Sequence, residues 1–377
     1  MDQSSPISNR PPEQALAPAS VREPVLALVN SRFRLAAPED PAPAGWQDGL
    51  GQLFKWLAID VEFLPAVRSR RLPRIAGWGL AVSAPAPVFA PWIGWSPVAF
   101  QHGGIAALPE AQFAASYLLE HPRGAAKGQG GIDLVLMSPH PALCVAEEAG
   151  GAPLPSAAML KAMIRTARDE GRERLAIILH ARQRNAVAAQ LMAADKALTR
   201  HGIELDILTI EEALVSLMSS RAPWDAIIAM PDLRSTVFTL LAEASDVRRA
   251  WPMLWLGGDG ALRMITSEAP GEGASRLPLD ANALVQALAL ALDRSGAAQA
   301  ARRLHEGWAR LRDSGVITSG RGAGDAPYVN AVPDETFLAM LRSHTAVSKR
   351  PQPEWRALRI AFLSNAGSQV PLLRVVS

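Results

Sequence analysis

The stretch Ile132-Asp133-Leu134-Val135-Leu136-Met137 opens the most regular part of the chain. Three further apolar segments follow it, at 175–179, 203–208 and 225–230. The segment at 175–179 is apolar on both faces, which is typical of a strand whose sheet is covered on both sides. Between the first two segments, apolar residues recur every three and four positions over 156–170, as they do on one helix face. Strands that alternate with helices predict an α/β architecture.

Residues typical of helix ends support this division into elements. Gly171 follows the helical pattern at 156–170 and is a typical helix stop. Thr209 and Glu212 have capping-box spacing, which predicts a helix that extends to about Ser220. The remaining elements are predicted helices at 46–57, 185–200, 233–244, 280–294 and 297–313, and predicted strands at 24–29 and 59–63. The fold of 64–104 stays undecided, and Trp78, Trp92 and Trp95 there belong either to the core or to a contact surface.

Length and composition exclude several classes of protein. A chain of 377 residues is long enough for about two domains. Its single cysteine excludes a disulfide scaffold, a zinc finger and an iron–sulfur cluster. A net charge of +2 argues against a nucleic-acid partner. Since no apolar run reaches about 18 residues and the N-terminus does not resemble a signal peptide, we expect no membrane partner and a cytoplasmic location.

Local motifs that could carry chemistry are weak. The glycines at 257–260 and 320–324 indicate loops, because neither cluster has the strand-then-helix context of a phosphate cradle. Cys144 lies near His140 in the sequence, so the two could form a nucleophilic pair. The favoured interpretation is that Cys144 is a buried small hydrophobic residue. His180 ends a predicted strand, where open α/β sheets bind ligands, so a functional role and a locally bonded histidine both stay open.

Six elements resemble, in their order and spacing, the isocitrate/isopropylmalate dehydrogenase family of metal-dependent β-decarboxylating dehydrogenases. They are 132–137, 156–170, 174–182, 225–229, the Ser267-Glu268-Ala269-Pro270 motif and 316–318. The resemblance covers about 131–345. It implies an isopropylmalate-dehydrogenase-like fold of two domains, with a large, mostly parallel sheet flanked by helices and a smaller dimerisation domain. Family catalysis would require a carboxylate-bound divalent metal, a lysine, a tyrosine and an arginine cluster.

The residues at the corresponding positions lack this chemistry. The family's arginine position falls on Ser138 and its tyrosine on Val145. Its lysine falls on His180 and the neighbouring asparagine on Arg182. Its metal-binding aspartates fall on Glu211, Ser235 and Thr239. One carboxylate cannot hold a divalent hard cation, and no tyrosine occurs between Tyr117 and Tyr328. The resemblance therefore implies a degenerate pocket with no catalytic residues, no metal and no cofactor.

Three functions follow as hypotheses. The first is a catalytically inactive member of this family that serves as a structural, regulatory or protein-interaction subunit, since fold does not imply function. The second is an enzyme with altered chemistry that uses an anion pocket around His180 and Arg182, with Glu211 and Ser138 nearby. The third is a ligand-sensing module that retains such a pocket without turnover.

The resemblance also implies a domain organisation and a partner. The predicted parts are a flexible tail at 1–22, a discontinuous large domain at 23–104 and 253–345, a smaller domain at 105–252 and a C-terminal extension at 346–377. Family members pair through helices of the smaller domain, which predicts a homodimer with the helix at 210–220 near its interface. The two apolar strands predicted within 357–377 could pair with a partner's sheet edge or cap the chain's own sheet.

Overall fold

The computed structural model describes twelve segments of the chain. They are 26–29, 45–64, 87–95, 110–120, 132–145, 153–194, 203–219, 222–245, 250–269, 280–318, 330–343 and 355–358. Several sequence features lie outside these segments, namely the tail at 1–22, Trp78 and the glycines at 320–324. The side chains of Trp92 and Trp95 also lie outside the described part.

Strands and helices alternate through the described segments. The strands are β1 Leu26–Val29, β2 Val61–Leu64, β3 Val88–Trp95, β4 Phe113–Glu120, β5 Ile132–Pro139, β6 Arg174–Leu179, β7 Glu204–Thr209, β8 Ala226–Ala229, β9 Trp251–Leu256, β10 Leu262–Glu268, β11 Val316–Thr318 and β12 Asn330–Val332. The helices are α1 Gly45–Leu57, α2 Ala157–Asp169, α3 Arg184–Ala194, α4 Ile210–Leu217, α5 Arg234–Ala244, α6 Ala281–Arg294, α7 Ala298–Asp313 and α8 Asp334–Arg342.

One large sheet organises the described part of the molecule. Its ten strands follow the order β2-β1-β3-β10-β9-β4-β5-β8-β6-β7, and β11 and β12 form a separate parallel pair. Only the pairings of β9 with β10, β4 with β9 and β4 with β5 are antiparallel within the described strands. The other six pairings in this sheet are parallel. The prediction of an α/β fold with a large, mostly parallel sheet flanked by helices is confirmed.

Helices cover both faces of the sheet around β4, β5, β6 and β8. Alternate residues of β4 point to opposite faces, as strand geometry requires. Phe113, Ala115 and Tyr117 join the core under α2, α6 and α7. Leu118 joins the second core, which includes buried residues of α4 and α5. This double coverage explains why β6 and β8 are apolar on both faces.

The helix signals in the sequence form as predicted. Thr209 Oγ1 accepts the Glu212 backbone N–H at 3.3 Å, and the Glu212 carboxylate accepts the Thr209 N–H at 2.8 Å. The capping box is thus reciprocal, although α4 ends at Leu217 rather than near Ser220. Gly171, which follows the C-cap residue Glu170 of α2, adopts a φ of 66°, a conformation that favours glycine.

A short C-terminal segment docks against the body of the protein. Trp355 is fully buried and packs on His305 and Trp308, with ring centroids 4.7 and 5.0 Å away. The Arg356 N–H donates to Asp133 Oδ2 at 2.9 Å. Residues 356–358 are helical, so the prediction of a strand beginning at Ala357 is wrong at that position. The Leu358 N–H donates to the Trp355 carbonyl at 3.0 Å, so this backbone is bonded locally and not to a neighbouring strand.

The described helices include none that is long and apolar enough to cross a lipid bilayer.

Candidate functional site

Parallel pairing brings the carboxyl ends of four strands to one edge of the sheet. β8 pairs with β5 on one side and with β6 on the other, and β6 pairs with β7. Side chains that follow these strands therefore meet at this edge, where open α/β sheets bind ligands. We call it the carboxyl edge of β5–β8.

The side chains of His180 and Asp232 contact each other at this edge. His180 follows β6 directly, and Asp232 lies three residues after the end of β8. The two side chains approach with His180 Nε2 2.8 Å from Asp232 Oδ2, and both are about one third exposed. The Gln183 side chain accepts the His180 backbone N–H at 2.9 Å, which fixes the start of the following turn. A carboxylate that holds one imidazole nitrogen fixes the orientation of the ring.

Cys144 lies close to the same carboxylate but is a poor nucleophile. Burial, together with the negative charge of Asp232, raises the pKa of the Cys144 thiol to about 12. Its Sγ donates to the His140 carbonyl at 3.5 Å. The His140 ring instead caps the next turn, where Nδ1 accepts the Ala142 N–H. Since the thiolate is the reactive form, the raised pKa disfavours a nucleophilic pair with His140. Cys144 is half-buried, not fully buried as predicted.

The residues of the predicted degenerate pocket include both buried and exposed side chains. Ser138 is fully buried and donates its hydroxyl to the Ala229 carbonyl at 2.6 Å, which ties β5 to the end of β8. Val145 is 72% exposed and forms an isolated bridge with Leu154. Arg182 and Glu211 are both exposed, whereas His180 is partly buried. Of these residues, Ser138 alone lies with its side chain in the core.

Ser235 and Thr239 lie on α5 at neighbouring helical positions. The Thr239 hydroxyl donates to the Ser235 carbonyl, one turn earlier, at 2.8 Å, a common arrangement for threonine within a helix. Within the described segments, no group of three or more His, Cys, Asp or Glu side chains is close enough to hold a metal ion. The donor set at α5 does not fit a hard divalent cation, because it consists of hydroxyls without a carboxylate.

A fully buried ion pair crosses the interior beside these residues. Arg234, the first residue of α5, donates from Nη2 to Glu268 Oε2 at 2.6 Å and from Nε to Oε1 at 3.2 Å. Ser116 donates to the same Glu268 oxygen at 2.5 Å and accepts from Arg234 at 2.7 Å. The side chains of Arg234 and Glu268 have no exposed surface. We call Ser116, Arg234 and Glu268 the buried triad; it links α5 with β4 and the end of β10.

A separate cleft opens at the same end of β5. Its volume is about 700 Å³, and it lies between α2, the residues before β4 and the turn from β9 to β10. The lining residues are Glu110, Gln112, Ala158, Lys161, Arg165, Gly258, Asp259 and Arg263. None of the seven residues of the predicted degenerate pocket contributes to it.

Sequence reasoning missed Asp232 and the buried triad. Asp232 lies between the predicted strand at 225–230 and the predicted helix at 233–244. Its position just after a predicted strand was the available signal, because a neighbouring strand ends at His180. No local signal marks Ser116 or Arg234 as partners of Glu268, since their contacts join residues 152 and 34 positions apart.

Comparisons with known proteins give a likeness of fold. No protein-family model matches the sequence, and no curated protein matches it. The crystal structure of TT0538 protein from Thermus thermophilus matches with a TM-score of 0.57 at 14% identity, over 88% of this chain and 71% of that one. Isocitrate dehydrogenase from Methylococcus capsulatus matches with a TM-score of 0.55 at 12% identity, over 84% of this chain and 98% of that one. The chain therefore shares the fold of an isocitrate dehydrogenase, and at these identities the likeness extends to the fold alone.

Proposed function

We propose that this protein is a catalytically inactive, dehydrogenase-like subunit of the cytoplasm that acts as a homodimer in a structural, regulatory or protein-interaction role. The buried triad carries the proposal. The family resemblance aligns Ser267-Glu268-Ala269-Pro270 with the family's cofactor loop, although Ser267 and Glu268 end strand β10 here. It also places Ser235 and Thr239 of α5 at metal-binding positions. Arg234 and Glu268 join these two elements by a bidentate contact with no exposed surface. The chain's own side chains fill the space between them.

Ser138 of the predicted pocket and Ser267 of the Ser267-Glu268-Ala269-Pro270 motif support the same conclusion. Ser138 and Ser267 donate their hydroxyls to backbone carbonyls, those of Ala229 and Pro91, both at 2.6 Å. These hydroxyls tie strands together and are not free to contact a substrate. The family's metal, catalytic acid and catalytic base each contribute several kcal/mol of transition-state stabilisation. A protein that lacks all three would not catalyse the family reaction.

The exposed face of α4 supports the dimer. Leu214, Val215 and Met218 are 41%, 81% and 62% exposed, and Met218 follows the other two by four and three positions, on one side of the helix. Ala213 and Leu217, on the other side, are buried in the chain's own core. Adjacent apolar side chains in water mark an association surface. This is the helix that the family resemblance places near the interface.

A set of lysine variants tests the dimer. Met218→Lys and Val215→Lys place a charge on the proposed interface, and we expect each to shift the protein to a monomer in sedimentation equilibrium. Glu306→Lys is the control, because Glu306 is exposed on α7, which belongs to the predicted larger domain and not to the domain that is predicted to pair. A wild-type protein that is monomeric at all concentrations would overturn the dimer, as would equal dissociation in the control.

An activity assay tests the inactive subunit. The purified wild-type protein is incubated with hydroxy acids, Mg²⁺ or Mn²⁺, and either nicotinamide cofactor. We expect no reduction of the cofactor above the rate without protein. Metal-dependent oxidation of a hydroxy acid that survives repurification of the wild-type protein would overturn the proposal.

The His180–Asp232 pair favours altered chemistry as a second candidate. A partly exposed imidazole held by a carboxylate at 2.8 Å has the arrangement of a general base and its orienting group. Asp232 also makes the surroundings of His180 more negative, which weakens the idea of an anion pocket shared with Arg182. If this candidate is right, His180→Ala and Asp232→Asn both abolish a hydrolytic or proton-transfer activity found by substrate screening, while Arg182→Ala retains it. Full activity in His180→Ala would exclude it.

A further inference from the structure

The outer edge of β7 is open near its amino end. β7 is the last strand of the large sheet, and the Glu204 N–H donates to the Glu173 carbonyl on the inner side at 2.8 Å. Successive residues of a strand direct their backbone groups to opposite sides, so those of Leu205 and Ile207 point outward. The Leu205 N–H, the Leu205 carbonyl and the Ile207 N–H have no hydrogen-bond partner within the described segments. Such groups can bond an added strand.

Side chains close the carboxyl end of the same edge. Arg184 Nη2 donates to the Ile207 carbonyl at 2.9 Å, and the Glu212 carboxylate accepts the Thr209 N–H. Arg184 and Glu212 also form a bidentate contact with each other, at 3.1 and 2.5 Å. Because Arg184 starts α3 on one face of the sheet and Glu212 belongs to α4 on the other, their contact crosses the edge. The open stretch therefore extends from Leu205 to the Ile207 N–H.

The C-terminal segment is anchored near this open stretch. Arg356 pairs with Asp225, which directly precedes β8 and accepts two backbone N–H groups at the start of β6. Arg174, at that start, pairs with Glu204 of β7 at 3.1 Å. The Arg356 N–H bonds to Asp133 of β5, and the strand order places β5 three positions from β7. A strand added to β7 would thus lie about 20 Å from this anchor, at about 5 Å per strand.

The two faces of β7 differ along the open stretch. Leu205 and Ile207 are partly exposed and pack on the core beneath α2. Asp206 lies between them on the opposite face, where it accepts the Trp224 indole N–H at 2.7 Å and forms no ion pair within the described segments. Apolar pairs and opposite charges stabilise neighbouring strands when the side chains share a face. The strand that fits this edge therefore has two apolar residues with a cation between them.

The chain's own sequence has this pattern at 372–376, a stretch outside the described segments. Its residues are Leu372-Leu373-Arg374-Val375-Val376. In an extended segment, Leu373 and Val375 fall on one face and Arg374 falls on the other. Valine also favours strands. The β7 strand of a second copy fits less well, because it would place one acidic face beside another.

We propose that residues 372–376 add to the open end of β7 in the same chain, with Leu373 and Val375 beside its apolar face and Arg374 beside Asp206. Residues 359–371 join this segment to the anchor, and thirteen extended residues span about 40 Å, twice the distance required. Tethering raises the effective concentration of the segment, which favours it over the same segment of a second copy. The added strand would cover an edge that is otherwise open to other chains, and it does not depend on the function proposed above.

Amide hydrogen exchange of the full chain, resolved to single residues, tests the added strand. We expect the Leu205 and Ile207 amides to exchange at least roughly tenfold more slowly than free amides. Arg374→Glu should remove this protection, because it places a carboxylate beside Asp206. The Asp206 amide points toward β6 and should stay protected in both proteins.

Arg359→Glu is the matched control, because it makes the same charge change outside the proposed strand. The measurement is repeated in Met218→Lys at two protein concentrations, so that any protection from dimer formation is removed. The proposal is overturned if the Leu205 and Ile207 amides of the wild-type protein exchange as free amides, or if the two arginine variants behave alike. Protection that is lost on dilution would also overturn it, since the strand would then come from a second copy.

Discussion

At the scale of single residues, the interior holds ionised groups that must be paired to be tolerated. The buried triad satisfies its charges with a bidentate contact and a shared hydroxyl. A second buried group surrounds Glu170, which accepts the Tyr117 hydroxyl at 2.5 Å and pairs with Arg172 and Arg294. Burial and the charge of Glu170 raise the pKa of Tyr117, so its phenol stays a donor. Charges so placed constrain which substitutions the core accepts.

Breaking the buried triad on one side should destabilise the protein strongly. Arg234→Met leaves Glu268 charged, buried and short of a partner, and we expect a loss of about 3–5 kcal/mol in the free energy of unfolding. The double variant Arg234→Met/Glu268→Leu removes both charges and should cost much less than the sum of the single variants. Urea unfolding measures all three, with Arg168→Met as a surface control. Additive losses would show that the pair contributes no coupling.

Asp293 gives the stability a predictable dependence on pH. Burial, moderated by Arg294, raises the pKa of Asp293 to about 7, above the value near 4 of an exposed aspartate. Between these values the folded state holds a proton that the unfolded state has released, so this group makes stability fall as pH rises from about 4 to 7. Asp293→Asn removes that contribution. We expect it to raise the melting temperature more at pH 8 than at pH 4, and an equal shift at both would contradict the assignment.

At the scale of elements, a few side chains of the segment 355–358 attach it to the rest of the described structure. Trp355 packs against His305 and Trp308, and Arg356 bonds to two aspartates that begin or precede strands. Asp225, one of these aspartates, also accepts the two backbone N–H groups at the start of β6. The segment therefore closes the amino edge of β5, β6 and β8, opposite the candidate site.

Removing the Trp355 side chain should leave a cavity and lower stability. We expect Trp355→Ala to cost about 3–5 kcal/mol in the free energy of unfolding, the usual range for deleting a buried tryptophan. Met192→Ala is the control, because that side chain is mostly exposed. Chemical denaturation followed by circular dichroism measures both. A cost below about 1 kcal/mol would mean that the segment is only loosely attached.

Elements with a strong local pattern could be predicted from the sequence, and β4 could not. α2 and α4 carry periodic apolar residues and caps, so their existence and starting points follow from local chemistry. β4 has the sequence Phe-Ala-Ala-Ser-Tyr-Leu-Leu-Glu, which lacks β-branched residues and has no polar alternation. Its strand conformation comes from antiparallel pairing with β5 and β9. The same holds for the candidate site. His180 could be predicted because it follows a strand in the sequence, whereas its contact with Asp232 depends on which strands are neighbours in the sheet.

At the scale of the whole molecule, the sheet continues across the predicted domain boundary. β9 and β10 pair along their length at residues 251–268, where the sequence predicts a change from the smaller to the larger domain. α6 packs on β3, β9 and β10 alike. Backbone pairing and a shared helix thus link the two predicted domains. The division of the chain into two domains stays a prediction.

This continuity predicts a single cooperative unfolding transition. At fixed protein concentration, tryptophan fluorescence and far-ultraviolet circular dichroism should give coincident urea transitions, because separating the halves would expose the core beneath α6. Two resolved transitions would instead favour domains of independent stability. Repeating the measurement with Met218→Lys separates any contribution from subunit dissociation.

The pairing of β3 with β10 has a consequence for the newly made chain. Gly94 pairs with Ser267, so the strand that completes one edge of β3 is synthesised more than 170 positions later. At about 5–20 residues per second, the ribosome needs roughly 10–35 s to deliver it. During that interval the N-terminal strands have an open apolar edge that other chains can pair with. Yield in the cell should therefore depend on chaperone supply and on the speed of translation between these strands.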